Sequence, residues 1–416
     1  MPSAHIVVHY HELWLKKGNR SFFLHKLREA LRRALEGIAI TRISHPADRL
    51  VIELLDGAQL EAALLRLARV SGISHLGVAR VIERTYDKAD PLNAIRTAAW
   101  EEIRGEQFST FAVRAKRSDK SFPVNAMAIE RDVGGHLFDK LQAQGRQALV
   151  DLAHPALTCR IEVTRGPTLV YARRIPGPGG LPPNTGGKLL CLLSGGFDSA
   201  VAAFKMMKRG AHLNFVHFWG GGALPGESSV HVARQLVERL VPWEFTAKLY
   251  LVPFEPLQRE IAATAPEELR TLLYRRLMLR IAERLALRER AKGLITGDSL
   301  GQVASQTLQN MYAVGSIARL PVYRPLVGDD KLEIQEIARR IGTHDISAEP
   351  FHDCCPVFQS KSPALFATPE ELDAAEEKCG VSELVERGLN SLTLERFSYS
   401  QGKVERTTKD RAVKAS

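Results

Sequence analysis

The stretch LLSGGFDSAVA (192–202) decides the fold, because it sets a pair of glycines between an apolar strand and a helical pattern. The run LLCLL (189–193) is typical of a buried strand, and the residues from 199 onward continue as a helix. Gly195 and Gly196 let the backbone approach a ligand closely, and the amides at a helix start attract anions. The stretch predicts an anion cradle, although a glycine turn with a helix cap fits the same spacing.

Polar side chains in this glycine loop (194–199) fit phosphate chemistry. Ser194 and Ser199 supply hydroxyl donors, and Asp198 supplies a carboxylate that could hold Mg²⁺ beside bound phosphate. The loop therefore favours a nucleotide site, with a glycine turn and an Asp or Ser helix cap as the alternative.

Strands and helices alternate after the glycine loop, with a long helical pattern near 267–290. This alternation predicts a doubly wound parallel sheet, which binds ligands at the carboxyl ends of its strands. We expect this domain to span 188–395 and a mobile basic tail to follow at 396–416. The later strands are LNFVHFW (213–219), AKLYLV (247–252) and GLITG (293–297).

The first half of the chain reads as two smaller mixed domains. A strand, helix, strand pattern covers 1–59, and alternating short strands and helices cover 60–174. The glycine- and proline-rich segment 175–187 is predicted to be the linker to the second half.

Bulk composition favours an intracellular protein that attracts polyanions. The 416 residues carry a formal charge of +10, which favours RNA or nucleotides as partners. No apolar run is long enough to span a membrane and no signal segment begins the chain, so we expect a cytoplasmic protein without a membrane partner. Five cysteines are too few for a disulfide scaffold. They are Cys159, Cys191, Cys354, Cys355 and Cys379.

Three segments together resemble the ThiI family of tRNA 4-thiouridine synthetases. SGGFDS (194–199) looks like the PP-loop signature of ATP pyrophosphatases, and TGDSLGQVASQTLQNM (296–311) and RPLVGDDKLEIQEIARRIGTHDIS (324–347) extend the match. The resemblance implies an α/β multidomain chain: an N-terminal ferredoxin-like α+β domain, a THUMP α/β domain, and a PP-loop domain of the adenine nucleotide alpha hydrolase-like fold. It also implies ATP and Mg²⁺ as cofactors and tRNA as substrate.

In that family ATP adenylates the C4 oxygen of uridine 8, pyrophosphate leaves, and a persulfide sulfur displaces AMP to give 4-thiouridine. The resemblance carries ATP binding to thirteen positions, of which Asp198 and Lys331 are also expected to act in catalysis. His217 in an apolar strand fits core packing equally well, and Arg276 fits a solvated helix face. The thirteen are Leu192, Leu193, Ser194, Gly195, Gly196, Asp198, Ser199, His217, Phe218, Arg276, Gly297, Gln306 and Lys331.

The THUMP resemblance lies in FAVRAKRSDKSFPVNAMAIERDVGGHL (111–137), where cations cluster near an aromatic. It implies a grip on the acceptor end of tRNA that weakens as salt rises, whereas the residues alone fit a solvated basic face. The RNA-binding candidates are Arg114, Lys116, Arg117, Lys120, Phe122, Asn125 and Arg131.

Sulfur transfer needs a thiolate, and FHDCCPVFQSKSP (351–363) supplies two candidates, Cys354 and Cys355. His352 and Lys361 would lower a thiol pKa and Asp353 would raise it; a pair of buried small residues is the alternative. The family's essential cysteine falls on Cys355, or on Cys354 if the alignment gap is moved.

Two departures from the family change the expected partners. No rhodanese domain follows, so a cysteine desulfurase (IscS-like) is expected to donate the persulfide directly, and transfer to the ThiS carrier for thiazole synthesis is left open. The segment LLYRRLM (272–278) lacks the CxxC of some archaeal relatives, so no iron–sulfur cluster is expected. Relatives suggest a homodimer by analogy. The alternatives are another PP-loop synthetase that activates a small acid, and a tRNA-binding protein without thiolation activity.

Overall fold

The computed structural model describes residues 4–84, 89–220, 229–349 and 363–409. It divides into two compact units, Met1–Gly180 and Leu181–Ser416, and the division falls inside the expected linker at 175–187. Within the described ranges, no helix has the length and apolar character needed to cross a membrane.

The first unit is built on a nine-stranded sheet of order β2-β3-β1-β4-β8-β7-β5-β6, with β9 paired to β4. β5 runs parallel to β6 and β7, and the other pairs are antiparallel. The strands are β1 (Ala4–His9), β2 (Ile40–Ser44), β3 (Leu50–Leu54), β4 (His75–Ile82), β5 (Thr110–Arg117), β6 (Leu149–Val150), β7 (Leu157–Val163), β8 (Thr168–Tyr171) and β9 (Arg174–Pro176). The α-helices are α1 (Arg20–Ala34), α2 (Leu60–Leu67), α3 (Asn93–Ile103) and α4 (Ala126–Ala143).

Strand β4 joins the two halves of this sheet. Its residues 75–79 pair with β1 and its residues 80–82 pair with β8. The sequence places β4 beyond residue 59, where we expect the first domain to end, yet β4 completes the sheet that β1 begins. One continuous sheet therefore carries both halves of the first unit.

A buried polar cluster reinforces that joint. Arg49 of the β2–β3 turn is 1% exposed and lies 2.7 Å from a carboxylate oxygen of Glu162 on β7. Tyr171 donates a 2.8 Å hydrogen bond to the same carboxylate, and the His9 ring stacks on His75 with centroids 4.1 Å apart. Burial lowers the pKa of both histidines to about 3. Nearby positive charge acts in the same direction, and at His9 it comes first from Arg49.

The second unit has a seven-stranded sheet of order β14-β13-β10-β11-β12-β15-β16. The first five strands in this order are parallel, so the predicted fold class is confirmed. The strands are β10 (Lys188–Leu192), β11 (His212–Trp219), β12 (Thr246–Pro253), β13 (Leu294–Ile295), β14 (Val322–Tyr323), β15 (Thr393–Ser400) and β16 (Lys403–Lys409). The α-helices are α5 (Phe197–Lys208), α6 (Ser229–Leu240), α7 (Glu255–Thr264), α8 (Arg270–Arg288), α9 (Leu308–Gly315), α10 (Lys331–Ile341), α11 (His344–Ala348), α12 (Pro369–Lys378) and α13 (Val381–Asn390).

The expectation of a mobile tail from residue 396 was wrong for residues 396–409. These residues complete β15 and form β16, an antiparallel hairpin docked on the edge of β12. Phe397 and Tyr399 are buried, and the buried carboxylate of Glu395 accepts hydrogen bonds from Arg234. The tail has little apolar surface of its own, but the open edge of β12 supplies backbone partners that a composition argument ignores.

The buried histidines predict a pH dependence of stability. His9 has a folded pKa of about 3, below its ordinary value near 6.5, so the unfolded chain binds more protons between these values. Stability should be full above pH 6.5 and fall as the pH drops toward 3. We expect the melting temperature of His9→Gln to fall less between pH 7 and pH 5 than that of the wild type.

Differential scanning calorimetry at both pH values measures this difference, and the exposed His25→Gln is the matched control. Equal losses in the wild type and in His9→Gln would contradict the buried, neutral state of His9.

Candidate active site and RNA-binding surface

The glycine loop is shaped by hydrogen bonds between its own residues. β10 ends at Leu192 and α5 begins at Phe197, with Gly196 as N-cap. The amide of Ser194 donates to the Ser199 hydroxyl at 3.1 Å, and the Ser199 hydroxyl donates to the Gly196 carbonyl at 3.0 Å. Ser199 thus holds the loop against the first turn of α5, where the helix dipole favours an anion.

Gly297, which follows β13, packs against the same helix start. A Cβ atom at this position would lie 2.7 Å from the amide nitrogen of Ser199, closer than real Cβ contacts. Only glycine therefore allows the chain after β13 to approach the loop this closely.

A cavity of about 220 Å³ opens between these segments and α8. Its lining combines apolar side chains with charged and polar ones, a composition that suits a ligand with both a planar base and phosphates. The apolar side chains of the lining, the apolar wall, are Leu192, Met278, Leu279 and Val314, and the polar ones, the polar wall, include Ser194, Asp198, Ser199, Arg275, Thr296, Asp298, Gln306 and Arg324.

Asp298 organises the polar wall. Asp298 is 5% exposed, and its carboxylate accepts a 2.7 Å hydrogen bond from the Thr296 hydroxyl and pairs with Arg275 and Arg324. Burial alone would raise the pKa of Asp298, but Arg275, Thr296 and Arg324 outweigh it, so its pKa lies below the usual range. The ionised carboxylate therefore fixes two arginines along the cavity.

The expected catalytic pair meets at the cavity edge. The Lys331 ammonium, at the first residue of α10, lies 3.4 Å from both carboxylate oxygens of Asp198. The Gln302 amide donates to Asp198 at 3.1 Å. Asp330 caps α10 through the amides of Leu332 and Glu333, which offsets the unfavourable position of a cation at a helix start.

Arg276 does not line the cavity, which corrects the sequence expectation. Its side chain is fully buried on α8, where it pairs with Asp373 at 2.6 Å and Glu376 at 3.0 Å. Consecutive helix residues point about 100° apart, so the neighbouring Arg275 faces the cavity instead.

His217 and Phe218 also lie outside the cavity lining. His217 is 1% exposed and its ring nitrogens bond the Leu193 carbonyl at 2.8 Å and the Ser229 hydroxyl at 2.9 Å. Phe218 packs edge-on against Phe254. The His217 side chain therefore packs in the core next to the glycine loop, as its alternative had it, and the nucleotide contact expected of His217 and Phe218 stays a prediction.

Two of the RNA-binding candidates line a groove in the first unit. Arg114 and Arg131 lie at a cavity of about 520 Å³ between β5, β6 and α4, beside exposed apolar side chains. Lys116 and Lys120 are exposed on or just after β5. The apolar lining includes Phe111, Val113, Met127, Phe138, Val150 and Leu152.

Three other candidates have structural tasks. Phe122 is 6% exposed and packs in the core of the first unit, so its ring does not offer the RNA contact that the sequence suggested. Arg117 donates to the Phe122 carbonyl at 2.9 Å, and Asn125 caps α4 through the amide of Ala128.

The cysteine candidates Cys354 and Cys355 lie outside the described residues. Burial raises the pKa of the Cys159 thiol to about 12 and that of Cys191 as well, which disfavours the reactive thiolate. The expectation that Cys191 is a core residue is confirmed.

Comparison with known proteins agrees with this architecture. Family models match residues 5–77 (ThiI ferredoxin-like domain), 92–173 (THUMP domain) and 184–381 (Thiamine biosynthesis protein, ThiI). A probable tRNA sulfurtransferase of Thermus thermophilus is 41% identical over 385 residues, covering 92% of each chain. The chain belongs to the ThiI family of tRNA sulfurtransferases.

Further relatives of this ThiI chain support the assignment. A probable tRNA sulfurtransferase of Moorella thermoacetica is 39% identical, covering 94% of this chain and 96% of the relative. The crystal structure of a 4-thiouridine synthetase–RNA complex with bound ATP matches with a TM-score of 0.81 and 29% identity, covering 95% of this chain and all of the other. The resemblance seen in the sequence is confirmed.

Sequence reasoning missed Arg275, Asp298, Gln302 and Arg324. Two of these follow the ends of parallel strands, Asp298 after β13 and Arg324 after β14. Because ligand sites gather at that edge of a parallel sheet, polar residues just beyond each strand were the signal.

Replacing Gly297 tests the close packing at the loop. We expect Gly297→Ala to weaken ATP binding about 10-fold or more, because the added methyl group must displace the helix start that faces the phosphates. Isothermal titration calorimetry with ATP and Mg²⁺ measures the affinity. Gly328→Ala, where a Cβ meets nothing within 4 Å, is the control and should bind as the wild type does. Unchanged affinity in Gly297→Ala would contradict this site.

Proposed function

We propose that this ThiI chain adenylates the C4 oxygen of uridine 8 in tRNA and then replaces it with sulfur, giving 4-thiouridine, AMP and pyrophosphate. The observation that carries the proposal is the cavity beside the glycine loop, with an apolar wall at one side and Asp198 and Lys331 at its edge. The relatives named as tRNA sulfurtransferases and the ATP–RNA complex of a similar protein support it.

The cavity suggests how ATP binds. The adenine ring fits the apolar wall of Leu192, Met278 and Val314, and the phosphates fit the start of α5. Arg275 and Arg324, held by Asp298, add positive charge along the phosphate path. Nucleotide binding therefore uses a helix dipole and two fixed guanidinium groups together.

Lys331 is suited to the adenylation step. Its ammonium lies next to Asp198 at the start of α5, where the α-phosphate would face the uridine oxygen. A cation fixed there stabilises the negative charge that develops on the phosphoryl oxygens as pyrophosphate leaves. Because the group is held before ATP binds, little reorganisation is needed during the reaction.

Asp198 fits a role in holding Mg²⁺ with the phosphates. Magnesium is usually bound through one or two carboxylates and substrate phosphate oxygens rather than by a full protein cage. The described residues contain no cluster of three metal-binding side chains, and a single carboxylate at the loop suits this mode. The ion would supply neutralising charge to the triphosphate.

Sulfur transfer falls to Cys355, or to Cys354, as the persulfide carrier. The terminal sulfur attacks C4 of the activated uracil, the bond from C4 to the AMP oxygen breaks, and AMP leaves. The uracil is then joined to the cysteine through a sulfur–sulfur bond. A second thiol, from the other cysteine of the pair or from an external thiol reductant, attacks the cysteine sulfur, releases 4-thiouridine and is left with that cysteine as a disulfide, which a thiol reductant reduces for the next cycle. A cysteine desulfurase would load the thiol directly, and no iron–sulfur cluster takes part, since Leu272–Met278 on α8 contains no cysteine. The proposal also includes sulfur transfer to the ThiS carrier for thiazole synthesis, assembly as a homodimer and a cytoplasmic location.

The second candidate function is a tRNA-binding protein that catalyses no reaction. A variant that removes the Lys331 ammonium distinguishes it from the proposed enzyme. We expect Lys331→Met to lower the rate of tRNA-dependent pyrophosphate release by about 100-fold or more, because it removes charge that acts in the transition state. Single-turnover assays with ATP, Mg²⁺ and unmodified tRNA measure this rate. The exposed Lys292→Met should react as the wild type does. Failure of the wild type to split ATP into AMP and pyrophosphate would favour the binding protein.

Cysteine variants separate the two chemical steps. We expect Cys355→Ser to retain adenylation and to lose thiolation when a desulfurase supplies persulfide, because a hydroxyl cannot carry the sulfur. Mass spectrometry of the tRNA detects the exchange of oxygen for sulfur, and Cys354→Ser is the matched variant. If both variants thiolate at the full rate, the assignment of sulfur transfer to this pair is wrong.

A further inference from the structure

We propose that Phe197 and His344 form the platform on which the target uracil stacks while its C4 oxygen is activated. The inference rests on the proposed function and adds the place where the base lies. Its basis is a pair of partly exposed rings beside Asp198 and Lys331 that do not belong to the lining of the nucleotide cavity.

The two rings belong to different elements that meet at the loop. Phe197 is the first residue of α5 and directly precedes Asp198, and His344 is the first residue of α11. Their ring centroids lie 5.8 Å apart and their planes differ by 24°. This is an offset stacked arrangement, which offers a planar base an extended aromatic surface.

Lys331 connects this platform to the reacting atoms. Its ammonium lies 4.3 Å from the centre of the Phe197 ring and 3.4 Å from Asp198. A base on the platform would therefore bring its carbonyl oxygens close to the cation and carboxylate that face the α-phosphate. Lys331 would then act both in positioning the stacked base and in the transfer of AMP to it.

The position relative to the cavity separates the two bases that the reaction brings together. Asp198 lines the nucleotide cavity, whereas Phe197 and His344 do not. Adenine has its apolar wall on α8 and at the end of β10, so the platform is left for the second base. Uracil must approach the α-phosphate from outside the ATP site, and the platform adjoins Asp198 in the chain and contacts Lys331.

Exposure distinguishes Phe197 from an ordinary packing residue. Phe204 on the same helix is 3% exposed and packs edge-on against Trp243. Phe197 is only partly buried, and the His344 side chain is 24% exposed. The His344 ring is oriented by Asp345, whose carboxylate lies 3.0 Å from Nδ1. Aromatic groups kept accessible at a charged site are typical of base recognition in single-stranded RNA.

The order of the chain agrees with this placement. α11 ends at Ala348, and the next cysteines in the sequence are Cys354 and Cys355. The platform thus combines the glycine loop, which serves the phosphate, with the helix that precedes the sulfur-carrying segment. The uracil reacts first with the phosphate at the glycine loop and then with the sulfur carrier.

The first test uses the full-length protein with unmodified tRNA. We expect Phe197→Leu and His344→Leu each to lower kcat/KM for tRNA about 10-fold or more, with unchanged ATP affinity. The aromatic variants Phe197→Tyr and His344→Phe should restore activity, because they keep the stacking face. The matched control is Tyr312→Leu, which removes an exposed ring on α9 and should leave kcat/KM unchanged.

The second test locates the base directly. Product tRNA that carries 4-thiouridine cross-links to adjacent side chains under near-ultraviolet light, and peptide mapping identifies them. We expect cross-links within 194–199 or 344–348, with the yield reduced in the double Leu variant.

The outcomes are distinguishable. Leu variants that match an active wild type, a His344→Phe variant as slow as His344→Leu, or cross-links confined to other peptides would each overturn the platform and leave the thiolation proposal intact. A wild type that forms no AMP with tRNA would overturn both.

Discussion

The close approach of the Gly297 backbone to the first turn of α5 is the contact on which the site depends. It brings the ends of β10 and β13 to the same helix start, so the glycine loop, Asp298 and Gln306 face one cavity. A parallel sheet places these ends at one edge, but the missing side chain at residue 297 sets their spacing. The chemistry of the site thus depends on a contact between backbone atoms, in which no functional side chain takes part.

Charge is distributed around this contact in an inner group of three ionised side chains and an outer pair. Asp298 is buried and holds Arg275 and Arg324, whereas Asp198 is more exposed and meets Lys331. Burying an unpaired carboxylate would be costly, so Asp298 is ionised only because its arginines accompany it. The outer pair remains adaptable, which suits groups that must exchange partners when a nucleotide arrives.

Sequence reasoning predicted the architecture well because the periodic strands and the glycine loop are local signals. It failed where the outcome depends on the direction in which a side chain points or on packing partners that are distant in sequence. Arg276 and Arg275 are adjacent in sequence, and only the packing of α8 against α9 and α12 shows which one faces the cavity. Phe122 was an RNA-binding candidate by its position among cations, but its ring packs in the core. Residues 396–409 were expected to be mobile, but they form strands at the edge of β12.

Strand β4 has a consequence for how the first unit was assembled. Its two ends pair with strands of the two halves of one sheet, so neither the ferredoxin-like half nor the THUMP half has a full complement of strands alone. A gene fragment ending at residue 59 would remove β4 from one side of β1 and leave an open edge prone to aggregation. The two halves are therefore expected to be inherited as a single cassette, and a fragment for separate expression should begin before β1 and end near Gly180.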